Sequence, residues 1–365
     1  IVFQINRLST DIDNFEEDLD HSALMNKLIH LFSLLSPFIV YSSNWYKGNT
    51  HVHTILCGHA DSTPEVVAQW YHDYGYNFLI LSEHNKFIDP STVKLSGEIR
   101  DDFLLIPGEE VTGPVHSTAM NVTRLVPWEF KDKNRSKIVQ WQIDETKKAG
   151  GITILNHPNA PIIRAAELFP VNDLYLFELY NAHPMTKNFG DAHRPSTSSL
   201  WNALLDKGMT IYGVASDDSH KFAKWDEKYD NPGRGWVMVR SDELSSDAIT
   251  LAMNRGEFYS SSGVILKKVV VGKSQIEIEV DEEATARELT SKFLFGRSVK
   301  KGKPGTFVDF IGPGGEVEET ISGIKASRIA TQEYLRCMIT HRIKKEDGLL
   351  REYYAWTQPV FTDGR

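Results

Sequence analysis

Short, nearly unbroken apolar runs recur along the chain from residue 45 onward: Asn77–Ser82 (NFLILS), Phe103–Pro107 (FLLIP), Gly151–Asn156 (GITILN), Leu174–Tyr180 (LYLFELY) and Met209–Ala215 (MTIYGVA). Runs of this length with little alternation predict strands covered on both faces, as in parallel sheets. The segments between them carry helical periodicity instead. Thr63-Pro64-Glu65 supplies an N-cap, a proline at the first helical position and an acid in the first turn, and so predicts a helix with its body over Val66–Tyr74. Further helices are predicted over Lys137–Ala149, stopped by Gly150-Gly151, over Ser198–Lys207, stopped by Gly208, and over Asp242–Arg255, stopped by Gly256. Strand–helix alternation of this kind predicts an α/β fold, a parallel sheet or barrel. After about residue 265 the pattern changes. Val264–Val271 and Gln275–Val280 are rich in β-branched residues, the second alternating with acids, and glycines punctuate the short strands beyond. Residues 265–365 are therefore expected to form an appended β-rich domain.

The start of the chain reads differently. Residues 1–24 are acidic, with Asp11, Asp13, Glu16, Glu17, Asp18 and Asp20 against Arg7 alone, and an apolar run extends from Leu28 to Tyr41. That run is short for a membrane span and of a length suited to a signal-peptide core. With Met25 and Lys27 before it and Ser42-Ser43 after it, 25–43 reads as a signal peptide within a leader of 1–45. The mature protein is then expected to be exported, periplasmic or extracellular, without a transmembrane domain. The alternative is an N-terminal amphipathic helix packed on the fold of a cytoplasmic protein, since His30 and Pro37 interrupt the run.

Composition narrows the function. Across 365 residues, 41% hydrophobic content supplies a sizeable core, which excludes a disordered chain. The excess of 49 acidic over 40 basic residues argues against a broad basic footprint, so no stable nucleic-acid partner is expected. Cys57 and Cys337 are too few for a disulfide framework or a cysteine-rich zinc module.

The histidines are placed unevenly. His51 and His53 follow the first candidate strand, His84 follows NFLILSE, Glu110 follows FLLIPGE, His157 follows GITILN, and Asp217, Asp218 and His220 follow MTIYGVAS. In a parallel α/β barrel such positions gather at one mouth. Imidazole and carboxylate form the ligand set for zinc, manganese and iron, and H-x-H in extended backbone points both rings to one face. A single histidine at a strand end is usually structural; the joint pattern points to a metal site.

These segments resemble the polymerase-and-histidinol-phosphatase (PHP) family of metal-dependent phosphoesterases. The resemblance runs from about Tyr46 to Ser262 and is carried by GNTHVHT, LILSEHN, IPGEEVTG, ILNHPN and GVASDDSH, in the family's order. It implies a distorted (β/α)7 TIM-like barrel over 46–264 that binds two to three divalent transition-metal ions, zinc, manganese or iron. His51 and His53 would hold the first ion with Glu110 and Asp218. Glu110 would bridge to a second completed by His116 and His157. His84 and His220 would hold a third, together with His59 or, in reserve, Asp61. The G-x-E and D-x-H patterns select Glu110 over Glu109, leaving Glu109 beside the site, and Asp218 over Asp217. Cys57 reads as a small buried hydrophobe. His183 and His193, on the loop after Glu178, lie where a substrate-facing or supporting role is open.

The activity implied is hydrolysis of a phosphate mono- or diester by a metal-bound hydroxide, with Asp218 or His220 handling the proton beside Glu110. A small phosphorylated substrate calls for an additional cation, and Arg164, Arg194 and Arg234 are the loop arginines able to supply it. Two rivals remain: a hydrolase of another bond, in the manner of amidohydrolases, and a catalytically silent binding protein.

Overall fold

The computed structural model describes residues 44–364, apart from 101 and 292. The expected leader and signal peptide lie outside the described residues, except that Asn44 and Trp45 already belong to the first strand. No helix among the described residues is long and apolar enough to cross a membrane.

The protein is a mixed α/β structure. Its central strands are β1 (Asn44–Asn49), β2 (Phe78–Ile80), β3 (Leu104–Ile106), β4 (Gly108–Val111), β5 (Ser117–Met120), β6 (Ile152–Leu155), β7 (Leu176–Asn181), β8 (Tyr212–Ser216), β9 (Trp236–Ser241) and β10 (Phe258–Ser261). The longer helices among them are α1 (Pro64–Asp73), α2 (Arg135–Lys148), α3 (Thr197–Asp206) and α4 (Ser246–Asn254). Their caps are those the sequence supplies. Thr63 Oγ1 accepts from Val66 N at 3.4 Å, and Ser196 Oγ accepts from Ser199 N at 3.0 Å. Each helix turns an apolar stripe inward, with Val67, Ala68 and Tyr71 buried on α1 and Leu200, Trp201, Leu204 and Leu205 on α3.

Strands β1, β2 and β3 pair in parallel, as do β6, β7 and β8. The expectation of an all-parallel sheet fails between and beside these groups: β4–β5–β6 are antiparallel, and so are β1–β9 and β9–β10. The ladders do not join into a closed (β/α)7 barrel. They form one sheet through β10–β9–β1–β2–β3 and a separate five-stranded sheet β4–β5–β6–β7–β8. At one junction, in place of a ladder, isolated bridges connect them, His84 with Glu110 and Ile88 with Gly108. At the other, the backbone of Gly213 in β8 is met by a side chain. Gln358 accepts from Gly213 N at 2.9 Å and donates to Gly213 O at 3.0 Å. An amide thus satisfies an edge that a neighbouring strand would otherwise pair.

The later segment is mainly strand: β11 (Leu266–Val271), β12 (Gln275–Val280), β13 (Arg297–Val299), β14 (Gly305–Ile311), β15 (Val317–Ser322), β16 (Lys325–Ile329), β17 (Tyr334–Lys344), β18 (Leu350–Thr357) and β19 (Val360–Phe361). Among its described residues one α-helix, α5 (Glu282–Leu289), interrupts it, capped by Asp281. β18 pairs with β10, which carries the first sheet on through β17, β14 and β15. Buried Val52, Leu79 and Trp236 belong to the same apolar cluster as Phe310, Leu335 and Tyr353. Each fully buried side chain of this size contributes about 1.5–3 kcal/mol. Gly48 in β1 allows a close approach: a Cβ there would meet the Phe78 ring at 2.1 Å.

Candidate metal centre

The segment after β1 is held in line by its neighbours. Asp218 N donates to His51 O at 2.9 Å, His53 N to Ser219 O at 3.0 Å, and Ser82 N to Val52 O at 2.9 Å. This threads residues 51–53 between the chain leaving β2 and the chain leaving β8, and sends Val52 into the core while His51 and His53 face the other way. All three are 0% exposed. The two imidazoles confront each other, with His51 Nε2 3.1 Å from His53 Nε2. Asp218 Oδ1 is 3.3 Å from both nitrogens, and Glu110 Oε1 is 3.3 Å from His51 Nε2.

Glu110 is the hub of the cluster. It lies within β4, beyond Pro107, rather than at the end of the preceding strand. Its Oε2 is 2.6 Å from His84 Nδ1, and its Oε1 is 3.2 Å from His116 Nδ1 and 3.3 Å from His157 Nε2. His59 joins through ring contacts, 4.5 Å from His220 and 5.2 Å from His84 between centroids. Asp61 does not face the cluster, because Phe222 N (2.9 Å) and Ala223 N (3.3 Å) donate to its carboxylate. The structure therefore brings together His51, His53, His59, His84, Glu110, His116, His157, Asp218 and His220.

Two ligand candidates hold left-handed backbone, His157 at φ 23° and Asp218 at φ 50°. Such conformations cost about 1–3 kcal/mol and persist where surrounding contacts over-determine them. Here the compensation is specific: His157 N donates to Glu178 Oε2 at 2.6 Å, and Asp218 N is tied to the His51 carbonyl.

Glu178 and Asp230 are contributors that the sequence pattern did not single out. Glu178, buried on β7, sets its Oε1 2.8 Å from His51 Nδ1 and also accepts from Ser216 Oγ and from Asn181 Nδ2 (2.8 Å). Burial alone would push this carboxyl up, yet His51 and His157 hold it below its ordinary value. Asp230 Oδ2 lies 3.0 Å from His220 Nδ1. The strand position of Glu178 was visible in the sequence; its partner, 127 residues away, was not.

Adjacent residues point apart. Asp217 accepts from Gly233 N, Arg234 N and Gly235 N at 2.7–2.8 Å, and from Asn49 Nδ2 and Tyr71 Oη at 2.7 Å. It anchors α1 and the 226–235 loop, and leaves the cluster to Asp218. Glu109 turns toward Val126, whose N–H donates to it at 2.5 Å. Burial raises its carboxyl to about 7.

The arginines divide. Arg234 is buried and its guanidinium bonds Phe293 O, Tyr229 O, Glu227 O, Asp226 O and Asn231 Oδ1. Each of its three nitrogens is engaged, so the expected phosphate contact is replaced by a loop-organising one. Arg194 is half-buried, its Nη1 donating to Asn159 O at 3.2 Å and its Nε 3.3 Å from Asp191 Oδ2. Arg164 is exposed at the start of the short helix Ala165–Leu168, and among the described residues it makes no hydrogen bond or ion pair with a cluster side chain. His183 sits at the rim, 4.0 Å from Asp230 Oδ2, and His193 is exposed.

The donor set suits a divalent cation. Several triads, among them His51–His53–Glu110, His51–His157–Asp218 and His53–His84–His220, bring ligand atoms within 4.8 Å of one another. Buried Glu110, Glu178 and Asp218 have imidazoles as their ion-pair partners among the described residues, with no lysine or arginine among them. His220 Nε2 and His53 Nδ1 are buried without a hydrogen-bond partner. Buried polar atoms are normally paired, and His220 Nε2, on a ring whose Nδ1 is held by Asp230, matches a cation.

No family model matches the chain, and no curated protein matches it. One solved structure it is similar to is described as a two-domain protein containing a predicted PHP-like metal-dependent phosphoesterase from Bacteroides vulgatus ATCC 8482. The identity is 15%, 82% of this chain and 91% of that chain are covered, and the TM-score is 0.45. The functional reading therefore rests on the side chains.

Proposed function

We propose that the protein is a metal-dependent hydrolase acting on a phosphate ester. The observation that carries this reading is the convergence of His51 Nε2, His53 Nε2, Asp218 Oδ1 and Glu110 Oε1, with neighbouring distances of 3.1–3.3 Å. His51, His53, Glu110 and Asp218 would hold one ion, Glu110 with His116 and His157 a second, and His84, His220 and His59 a third. Divalent cations bound there supply Lewis acidity toward a phosphoryl oxygen and an acidified water.

The chain's own residues do the rest. Glu178 and Asp230 hold the Nδ1 edges of His51 and His220, which leaves each Nε2 lone pair directed into the pocket. Asp218, steadied by Asn181 Nδ2 at 3.1 Å, stands at the centre of the pocket as an acceptor for a proton. Arg194 is the arginine that would meet a substrate phosphate, releasing its ion pair with Asp191 (3.3 Å) to do so. In this reading β1–β3 and β4–β8 are two arcs of the distorted barrel, 265–365 is the appended β-rich domain, and the mature chain is exported.

Elemental analysis of protein purified without chelator tests the metal component, with two to three ions per chain expected. A phosphoester panel assayed with Mn²⁺, Zn²⁺ and Fe²⁺ tests the chemistry. Turnover of amides with none of phosphoesters would favour an amidohydrolase-like reaction, and metal binding without turnover a silent binding protein.

A further inference from the structure

The loop after the paired histidines carries a side chain that the metal centre described above does not use. Ile55–Cys57 forms one turn of 3-10 helix, and Gly58, at φ 88°, closes it by donating to Ile55 O at 3.1 Å. A left-handed residue is needed for the chain to double back there, which glycine adopts without a Cβ penalty. Both feet of the loop are clamped: Ile55 N donates to Ser62 O at 2.7 Å, and Thr54 N to Glu83 Oε1 at 2.7 Å. The position of the Cys57 sulfur is fixed by this framework and by Ala60 N, which donates to Sγ at 3.3 Å.

Two groups of ligand atoms include that sulfur. Cys57, His59 and His220 place theirs within 4.8 Å of one another, and so do His53, Cys57 and Glu83. A cysteine in such a place would ordinarily be a small hydrophobe. What distinguishes this one is its company. His220 Nε2, His53 Nδ1 and Glu83 Oε2 are all buried without a hydrogen-bond partner, on residues 5%, 0% and 0% exposed. His220 has its Nδ1 occupied by Asp230, which leaves Nε2 as the nitrogen free to serve as a ligand. An unpaired buried polar atom costs about 1–3 kcal/mol. Of these, His220 Nε2 belongs to the group formed with Cys57 and His59, and a cation shared by the three would give it a partner.

We propose that Cys57 supplies a sulfur ligand to a metal ion held with His59 and His220, giving the third site a mixed sulfur–nitrogen character. The inference rests on the metal-centre reading above and deepens it. A soft donor selects zinc, cobalt or cadmium over manganese or magnesium, whereas the His51–His53–Glu110–Asp218 site offers nitrogen and oxygen alone. The two parts of one pocket would then prefer different metals.

Cobalt substitution of the full chain provides the test. Protein stripped with chelator and reloaded with Co²⁺ is examined for cobalt per chain and for thiolate-to-cobalt charge-transfer absorption in the near ultraviolet. The band is expected in the wild type and in Cys337→Ser, and lost in Cys57→Ser. Zinc affinity at one site of Cys57→Ser should fall by about tenfold or more, with manganese affinity little changed. Bound cobalt without a sulfur band, or the same band in Cys57→Ser, would overturn the assignment of Cys57 while leaving the metal centre standing. Failure to bind cobalt at all would overturn both. Because the wild-type spectrum alone can show or exclude sulfur ligation, the test survives poor folding of the variant.

Discussion

Glu178 Oε1 lies 2.8 Å from His51 Nδ1, on a different edge of the imidazole from the Nε2 that faces His53 and Asp218. The contact fixes the ring's orientation and its tautomer, with Nδ1 protonated and donating. In Glu178→Gln the amide can turn its own N–H toward that nitrogen and invert the tautomer. Metal affinity should fall by about 10–100-fold with the fold retained. Competition against a chromophoric chelator measures this, and an unchanged affinity would refute the positioning role.

The neighbours Asp217 and Asp218 should separate stability from metal binding. Asp217→Ala removes the acceptor of five donors and strands the backbone N–H groups of residues 233–235, while Asn49 Nδ2 keeps Gly235 O and Tyr71 Oη keeps Ser219 Oγ. At about 1–3 kcal/mol for each buried donor left unpaired, with partial relaxation, a loss of about 3 kcal/mol or more is expected in urea unfolding of the metal-free protein. Asp218→Ala should instead lose metal and turnover with a smaller effect on metal-free stability. The opposite ranking would place the ligand at 217.

Glu109 gives a pH-dependent prediction. Its pKa is raised by burial to about 7, above the ordinary 4.5. The folded state therefore holds a proton that the unfolded state releases. The stabilisation from that proton is full below about pH 4.5 and is lost as pH rises through about 7. Glu109→Gln keeps an acceptor for Val126 N without a charge to desolvate. It should gain on the order of 1–3 kcal/mol relative to wild type above pH 7, and little at pH 4.5. Paired thermal scans at about pH 5 and about pH 8.5 check this; a difference that does not change with pH refutes it.

Arg234→Ala should behave as a structural lesion. Four backbone carbonyls lose their guanidinium partner, three of them in the 226–229 stretch. A cost of about 2–4 kcal/mol is expected, with metal content and the KM for a phosphoester little changed in the folded fraction. A large rise in KM with unaltered stability would restore the arginine to substrate binding.

The sequence made some features legible and hid others for physical reasons. NFLILS, FLLIP, GITILN, LYLFELY and MTIYGVA read as strands because both faces are covered, and they correspond to β2, β3, β6, β7 and β8. GEEV and STAM did not, although they form β4 and β5. Their polar side chains are buried, Glu110 among the cluster histidines and Glu109 against Val126, so composition misrepresents their environment. The antiparallel pairing of β4 with β5 and the side-chain seal at Gly213 are tertiary facts without a local signature. Within the site, H-x-H and D-x-H could be read because both members sit on one short segment. Glu178 and Asp230 act through rings carried by other segments. Arg234 shows the limit most plainly, since a loop arginine looks the same in sequence whether it meets a ligand or a ring of carbonyls.

The pairing of β18 with β10 also bears on how the protein comes to be made. The strand that leads into His51 and His53 lies near the beginning of the chain, yet its ladder runs through β9 and β10 to residues 350–357. During synthesis every proposed nitrogen and oxygen ligand has left the ribosome soon after residue 220, long before β10 gains its outer neighbour. Until then that edge is an unpaired template of the kind that recruits other chains. A nascent chain paused in this interval would present the proposed metal pocket on an unfinished sheet.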